Sequence, residues 1–204
     1  MKFFGKSYDS HAVACVLMSI VGISVLFSPP VMNLAALLLL AVILSSAELR
    51  QSLWDTWRLP MVKFVLLFYA VMIVGTTYSI APKDVAVRMA IGWSKLLLVP
   101  IALSLFADTR WKLRFLKAFV GVVAVCSVIS FGLWIFEIDL PVASKERGIF
   151  LRNHATQGMA FAVGAFGALL LALESGAGRL RYLYALSGLL LLGNIALVTI
   201  GRSG

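Results

Sequence analysis

Charged residues are scarce in this chain, and their scarcity decides its class. They make up 13% of the 204 residues, whereas hydrophobic residues make up 61%. A water-soluble domain carries roughly 25% charged residues, so a soluble fold cannot cover this much apolar surface. The composition excludes an ordinary soluble domain and predicts a protein whose solvent is the lipid bilayer.

Cysteine and groups of metal-binding residues are also lacking. Cys15 and Cys126 are the only cysteines, and both lie in apolar stretches. They indicate small buried side chains, not a disulfide framework or a cysteine metal site. The sequence has no Asp-x-Asp pair, no cluster of His, Asp and Glu, and no glycine-rich phosphate loop. We therefore expect neither a metal nor a cofactor.

Long apolar stretches fill most of the chain. A bilayer core of about 30 Å takes a helix of about 20 residues, and the continuous Leu, Ala and Val runs are not the alternating pattern of barrel strands. The sequence predicts an all-α, polytopic membrane helix bundle with about seven spans. We place these spans at roughly 12–27, 31–47, 61–79, 89–106, 115–136, 158–173 and 182–200.

The distribution of positive charge sets the expected orientation. The net charge of +9 comes from 18 Lys and Arg that lie mostly between the apolar stretches. They form no continuous basic face, so they do not indicate nucleic-acid binding. The positive-inside rule favours a cytoplasmic N-terminus, and the cluster of Arg110, Lys112, Arg114 and Lys117 is its strongest support.

Three groups of basic residues then fall on the outer side. The first is the late part of the loop 137–157, where Arg147, Arg152 and His154 precede the sixth span. Asn153 or Thr156 is expected to cap that helix, whose N-terminus would favour an anion such as phosphate. A solvated loop with an ordinary helix cap explains the same residues equally well.

The second group is Arg88 and Lys95, seven residues apart on one face of the fourth span. A cation in the apolar zone costs about 3 kcal/mol. These residues form either a cationic stripe for a lipid-linked phosphate or an interfacial anchor that snorkels to the headgroups.

The third is Arg202, in the closing sequence Gly201-Arg202-Ser203-Gly204. Its guanidinium suits bidentate phosphate binding, and a plain helix-end arginine is the alternative. With no polar tail after it, this ending indicates the N-terminal portion of a larger polytopic protein.

Two stretches give the chain its resemblance to a known family. Residues 147–158 read Arg-Gly-Ile-Phe-Leu-Arg-Asn-His-Ala-Thr-Gln-Gly, and residues 197–204 read Leu-Val-Thr-Ile-Gly-Arg-Ser-Gly. In order, spacing and membrane placement they resemble the O-antigen ligase and O-antigen polymerase family of bacterial envelope glycosyltransferases. The second stretch is similar to the start of the ligase domain that this family shares, which would be truncated here.

The resemblance implies a bacterial inner-membrane enzyme of about twelve helices whose active face is periplasmic. It would transfer a glycan from undecaprenyl pyrophosphate to the lipid A–core acceptor, or to another lipid-linked unit in a polymerase, without a metal or nucleotide. Arg202 matches the family's motif arginine and would bind the pyrophosphate. Arg147, Arg152 and His154 would shape the acceptor entrance. The catalytic base would lie beyond residue 204, so residues 1–204 alone are expected to be inactive.

A different class of function competes with this one. A flippase or transporter of an anionic lipid-linked substrate would also use the face of Arg88 and Lys95. No carboxylate lies in the middle of a predicted span, which disfavours coupling to protons or sodium. A structural membrane subunit without chemistry is the third reading.

Overall fold

A computed structural model describes residues 2–3, 6–7, 9–80, 82–138, 148–151 and 153–199. The chain begins with two short antiparallel strands, β1 (Lys2–Phe3) and β2 (Lys6–Ser7), in which Lys2 pairs with Ser7 and Phe3 with Lys6. The other secondary-structure elements of the described residues are helices. The helices are α1 (Ser10–Ser24), α2 (Pro29–Ser45), α3 (Ala47–Thr56), α4 (Pro60–Gly75), α5 (Lys83–Trp93), α6 (Leu98–Leu105), α7 (Thr109–Ile135), α8 (His154–Glu174) and α9 (Arg179–Asn194).

Each of the seven predicted apolar stretches coincides with helical structure. Within the described residues, four helices are long and apolar enough to cross a membrane: Lys83–Leu105, Thr109–Ile135, His154–Glu174 and Arg179–Val198. The helices α1 and α4 are shorter, and α2 and α3 form a pair bent by 103°. The chain is thus a helical protein with several potential membrane spans, while a total of seven stays a prediction.

Two compact units divide the chain, and the division falls within α1, α2 and α7. Unit 1 comprises Met1–Met18 and Leu34–Trp111. Its core joins α1, α2, α3 and α6 through apolar side chains that exclude solvent: Ala14, Cys15, Met18, Leu39, Ile43, Leu49 and Leu105. A hydrogen bond of 2.9 Å between the hydroxyls of Ser52 and Ser104 ties α3 to α6.

Unit 2 comprises Ser19–Asn33 and Lys112–Gly204. Its core contains Phe119, Val123, Phe161, Ala165 and Leu191, together with Leu151 from the segment before α8. Small residues let its helices approach closely, as is common in membranes. A Cβ on Gly167 would lie 2.8 Å from Leu116 of α7, and one on Gly188 would lie 3.6 Å from Ala168 of α8.

The structure differs from the sequence prediction in the fourth span. The prediction treats this span as one continuous helix, whereas residues Ser94–Leu97 form a 3-10 turn between α5 and α6. Pro100 provides a physical reason, because proline has no N–H to bond the carbonyl four residues earlier. Gly92 also weakens the preceding turn. Lys95 belongs to this 3-10 turn, which lies near the middle of the candidate span Lys83–Leu105.

Candidate functional site

Three fully buried polar side chains form a hydrogen-bond network inside unit 2: Ser130 of α7, Gln157 of α8 and Asn194 of α9, each 0% exposed. Ser127 of α7, also 0% exposed, joins this network through its backbone carbonyl, and its hydroxyl donates to the Leu190 carbonyl at 3.4 Å. A buried polar group costs free energy unless it is hydrogen-bonded, so the partners of these side chains decide whether the arrangement is stable. The network also includes the backbone of residues 148–151.

Gln157 uses all of its hydrogen-bonding capacity. Its Nε2 donates to the Ser130 hydroxyl and to the Gly148 carbonyl, both at 3.0 Å. Its Oε1 accepts from the backbone N–H groups of Phe150 at 3.3 Å and Leu151 at 3.4 Å. A primary amide has two donor hydrogens and two acceptor lone pairs. One side chain therefore satisfies three backbone groups of a non-helical segment.

Ser130 is the centre of the network. Its hydroxyl donates to the Gly148 carbonyl at 2.7 Å and accepts from Gln157 and from Nδ2 of Asn194, the latter at 3.0 Å. The same Nδ2 donates to the Ser127 carbonyl at 3.3 Å. One hydroxyl thus connects three helices and the segment 148–151.

The segment 148–151 is buried although it is not helical. Ile149 and Leu151 are nearly inaccessible to solvent, and Gly148 has a φ of 80°, a conformation that other residues adopt only with strain. A Cβ at Gly148 would also lie 2.7 Å from Cγ1 of Val198 and 3.1 Å from Cβ of Trp134. Both the backbone conformation and the surroundings therefore require glycine here.

The contact between Gly148 and Val198 joins the two stretches that carry the family resemblance. Gly148 belongs to the stretch 147–158, and Val198 belongs to the stretch 197–204. The end of α7, the beginning of α8 and the end of α9 consequently lie at one end of unit 2. The π-helix Ile195–Thr199 continues α9 at this end, and such helices are frequent at functional sites.

The beginning of α8 is capped as the sequence indicates. Oδ1 of Asn153 accepts the N–H of Thr156 at 2.7 Å, so Asn153, and not Thr156, is the cap. His154 is the first residue of α8 and its side chain is exposed. It is therefore accessible at the end of unit 2 where the two stretches meet.

Three of the predicted site residues lie outside the described residues: Arg147, Arg152 and Arg202. Their neighbours are described. In sequence, Arg147 immediately precedes Gly148, Arg152 immediately follows Leu151, and Arg202 follows Thr199 by three positions.

Arg88 and Lys95 belong to unit 1. Arg88 lies on α5 and forms an ion pair with Asp84 one turn earlier, with side chains that are 75% and 63% exposed. Such exposed pairs are weak, but Asp84 offsets part of the positive charge that the sequence assigns to this face. Lys95 is exposed in the 3-10 turn, so the spacing rule for one continuous helix does not apply between them.

Comparison with known proteins yields no relatives. No family model matches the chain, no curated protein matches it, and no solved structure matches it. Within the described residues, no group of three or more His, Cys, Asp or Glu is placed to bind a metal ion.

Sequence reasoning did not identify Gln157 and Ser130 as the centre of the site. A detectable signal existed, because a glutamine one turn into an otherwise apolar helix needs a partner in the membrane. A polar side chain such as Asn194 in an otherwise apolar helix is ordinarily explained by hydrogen bonding between helices. The structure confirms that explanation, since it bonds α9 to α7.

Proposed function

We propose that the protein transfers an O-antigen-type glycan from undecaprenyl pyrophosphate to a lipid A–core acceptor at the outer face of the bacterial inner membrane. An O-antigen polymerase reaction, with another lipid-linked unit as acceptor, is the close alternative. The seven-span topology with a cytoplasmic N-terminus belongs to this proposal.

One observation carries the proposal. The two stretches that resemble the ligase family are separated by about 40 residues in sequence, yet they touch at Gly148 and Val198. Each stretch also contains an arginine that is close in sequence to the contacting residue, since Arg147 adjoins Gly148 and Arg202 follows Val198 by four positions. Contact between the two stretches supports a shared site.

The chemistry of the reaction fits these residue types. Breaking the bond between the glycan and the pyrophosphate leaves negative charge on the leaving group, and guanidinium donors stabilise it without proton transfer. Arg202 is proposed to bind the pyrophosphate. Arg147, Arg152 and His154 are proposed to line the acceptor entrance, and the base that activates the acceptor hydroxyl is assigned to no residue of this chain.

The test is a reconstituted reaction of the full-length protein with undecaprenyl-pyrophosphate-linked glycan and lipid A–core. Arg202→Ala should lower the yield of joined product by about 10²-fold or more, because a preorganised charge-stabilising group is worth that much. Membrane insertion should be unchanged. Arg179→Ala, at the opposite end of unit 2, is the matched control and should retain activity. Wild-type product formation by Arg202→Ala would refute the assignment.

A second function, movement of an anionic lipid-linked substrate, is favoured by a separate observation. The span Lys83–Leu105 is interrupted near its middle by the 3-10 turn that carries Lys95. Interrupted helices with an ionisable residue at membrane depth are typical of transport sites.

The two functions give different results in sealed vesicles. A transferase yields joined product when donor and acceptor are present together, and Lys95→Ala lowers that yield at most modestly. A flippase moves labelled donor across the bilayer without joining it, and Lys95→Ala abolishes the movement. Detection of transport without any joined product would replace the transferase proposal.

A further inference from the structure

The helix α3 between the second and third apolar stretches has three distinct sides. Its buried side consists of Leu49, Ser52, Leu53 and Thr56, spaced at i, i+3, i+4 and i+7. This spacing is that of one helix face, and it packs against the core of unit 1. The other two sides differ in chemistry.

One exposed side of α3 is basic and aromatic. Arg50, Trp54 and Trp57 lie at i, i+4 and i+7, so they share a side of the helix. The two indole rings stack with their centroids 6.0 Å apart and are 63% and 44% exposed. Arg58 follows directly. We call Arg50, Trp54 and Trp57 the aromatic–basic side, and Arg58 lies in the turn that follows α3.

The other exposed side is acidic and polar. Glu48, Gln51 and Asp55 lie at i, i+3 and i+7, and Nε2 of Gln51 donates to Asp55 at 3.3 Å. Negative charge of this kind favours water and is repelled by an anionic membrane surface. The two exposed sides of α3 therefore suit different surroundings.

Both ends of α3 adjoin lipid-exposed helices. Leu44, in the last turn of α2, is 58% exposed, and Phe64, in the first turns of α4, is 71% exposed. Such residues need lipid around them in a membrane protein. The exposed aliphatic surface of α2 gives way on α3 to charged, polar and aromatic side chains and resumes on α4. This pattern fits a helix whose two ends lie at the same membrane boundary.

The bend between α2 and α3 gives α3 its direction. The two helices meet at 103°, and Arg50 donates to the Leu44 carbonyl at the end of α2. Ser46 caps α3 by accepting the N–H of Leu49. A helix nearly perpendicular to a lipid-exposed helix lies close to the plane of the membrane.

We propose that α3 lies in the membrane interface and that its aromatic–basic side binds anionic phospholipid headgroups. Tryptophan is enriched at headgroup level because its ring is amphipathic. Arginine forms charge-assisted hydrogen bonds with phosphate. The acidic side faces water. This role is independent of glycan transfer.

The experiment measures how deeply Trp54 and Trp57 enter the bilayer. The full-length protein carries Phe at the three other tryptophans of this chain, Trp93, Trp111 and Trp134, and at any tryptophan beyond residue 204, and is reconstituted in vesicles of phosphatidylcholine and phosphatidylglycerol. Lipids brominated near the headgroup should quench the remaining fluorescence more than lipids brominated near the chain ends. Absence of quenching, which indicates water, would overturn the proposal. Stronger quenching by the deep bromines would also overturn it, since α2 and α3 would then form one bent span.

The preference of the aromatic–basic side for anionic lipid is measured by comparing quenching by two brominated lipids. At equal mole fraction, brominated phosphatidylglycerol should quench more than brominated phosphatidylcholine, because each interfacial arginine enriches anionic lipid on the order of fivefold. Arg50→Gln combined with Arg58→Gln should remove the difference. Asp55→Asn, on the acidic side, is the control and should retain it. Equal quenching by both lipids in the protein with both arginines present would overturn the binding of anionic headgroups.

A second measurement uses spin labels at single introduced cysteines in the protein with its other native residues, including the tryptophans, retained. A nitroxide attached at Trp57→Cys should collide mainly with oxygen dissolved in the bilayer, and one at Gln51→Cys mainly with a water-soluble nickel complex. The native cysteines of this chain, Cys15 and Cys126, are buried, and any cysteine beyond residue 204 is replaced by serine. Equal access of the nickel complex to both positions would overturn the interfacial placement.

Discussion

A glutamine inside a membrane-crossing helix is costly unless each polar atom has a partner. Gln157 meets this condition through four bonds, two of which satisfy backbone N–H groups that have no helical partner. Its role is therefore to hold the segment 148–151 against the helices. Asn194 and Ser130 complete the arrangement from α9 and α7.

Replacing Gln157 by leucine should destabilise unit 2. Leucine is similar in size but leaves the N–H groups of Phe150 and Leu151 buried without an acceptor, at a cost of about 1–3 kcal/mol each. Thermal unfolding in detergent should show a lower Tm, and hydrogen exchange should show faster exchange of these two amides.

Gln51→Leu provides the control for this substitution. Gln51 is the other glutamine of the chain and is exposed, so the same chemical change should alter the free energy of unfolding by less than about 0.5 kcal/mol. Equal effects of the two substitutions would contradict the anchoring role of Gln157.

At the scale of elements, the packing of α8 depends on small residues. A Cβ at Gly164 would overlap Cγ2 of Val123 on α7 and would lie 3.3 Å from Leu191 on α9. Valine is branched at Cβ and has few alternative rotamers, and Val123 is fully buried. The three helices therefore have no room for a methyl group at this point.

Gly164→Ala and Gly121→Ala should have opposite effects on stability. Overpacking at Gly164 costs about 1–3 kcal/mol. At Gly121 on α7, a Cβ would meet nothing within 4 Å, so alanine should stabilise the helix by about 0.5–1 kcal/mol. Unfolding by detergent or heat measures both variants, and a stabilising Gly164→Ala would contradict the close packing described.

Apolar runs predict helices more readily than they predict connections. Every predicted span coincides with helical structure because a long apolar run in a membrane must satisfy its backbone internally. The helix α3 was not predicted, although Leu49, Leu53 and Thr56 have helical spacing. The break at Lys95 was also missed, because hydropathy does not register the absent N–H of Pro100.

At the scale of the whole molecule, the proposed orientation in the membrane rests on the placement of positive charge. Unit 2 places the beginning of α8 at the same end as the end of α9, through the network of Gln157 and Asn194. Arg179, which begins α9, lies at the opposite end. In the proposed topology, which follows the positive-inside rule, the end with Arg179 faces the cytoplasm.

Labelling with a membrane-impermeant maleimide tests this orientation. In intact cells with a permeabilised outer membrane, His154→Cys should react and Arg179→Cys should not. Arg179→Cys should react only after the inner membrane is opened, and Lys112→Cys should behave in the same way. Buried Cys15 and Cys126 should remain unlabelled, and any cysteine beyond residue 204 is replaced. Labelling of Arg179→Cys, but not of His154→Cys, in intact cells would show that the orientation is the opposite of the proposed one.

The sequence indicated part of the candidate site. Asn153 as the α8 cap and the polar role of Asn194 follow from residue type and position. The docking of residues 148–151 does not, since it depends on a contact with Val198 that is distant in sequence. The pairing of Arg88 with Asp84 could have been expected from their i, i+4 spacing. Arg147, Arg152 and Arg202 remain predictions.

The contact between Gly148 and Val198 has a consequence for the order of assembly. During synthesis, α7 and α8 enter the membrane before α9 exists, so Ser130 and Gln157 can already engage the segment 148–151. The contact of Val198 with Gly148 forms only after α9 is synthesised. The side-chain amide of Asn194 can then donate to the Ser130 hydroxyl. This end of unit 2 is thus completed by Val198, in the last described turn of the chain. A nascent chain that stops before α9 leaves uncovered the side of Gly148 that Val198 otherwise contacts.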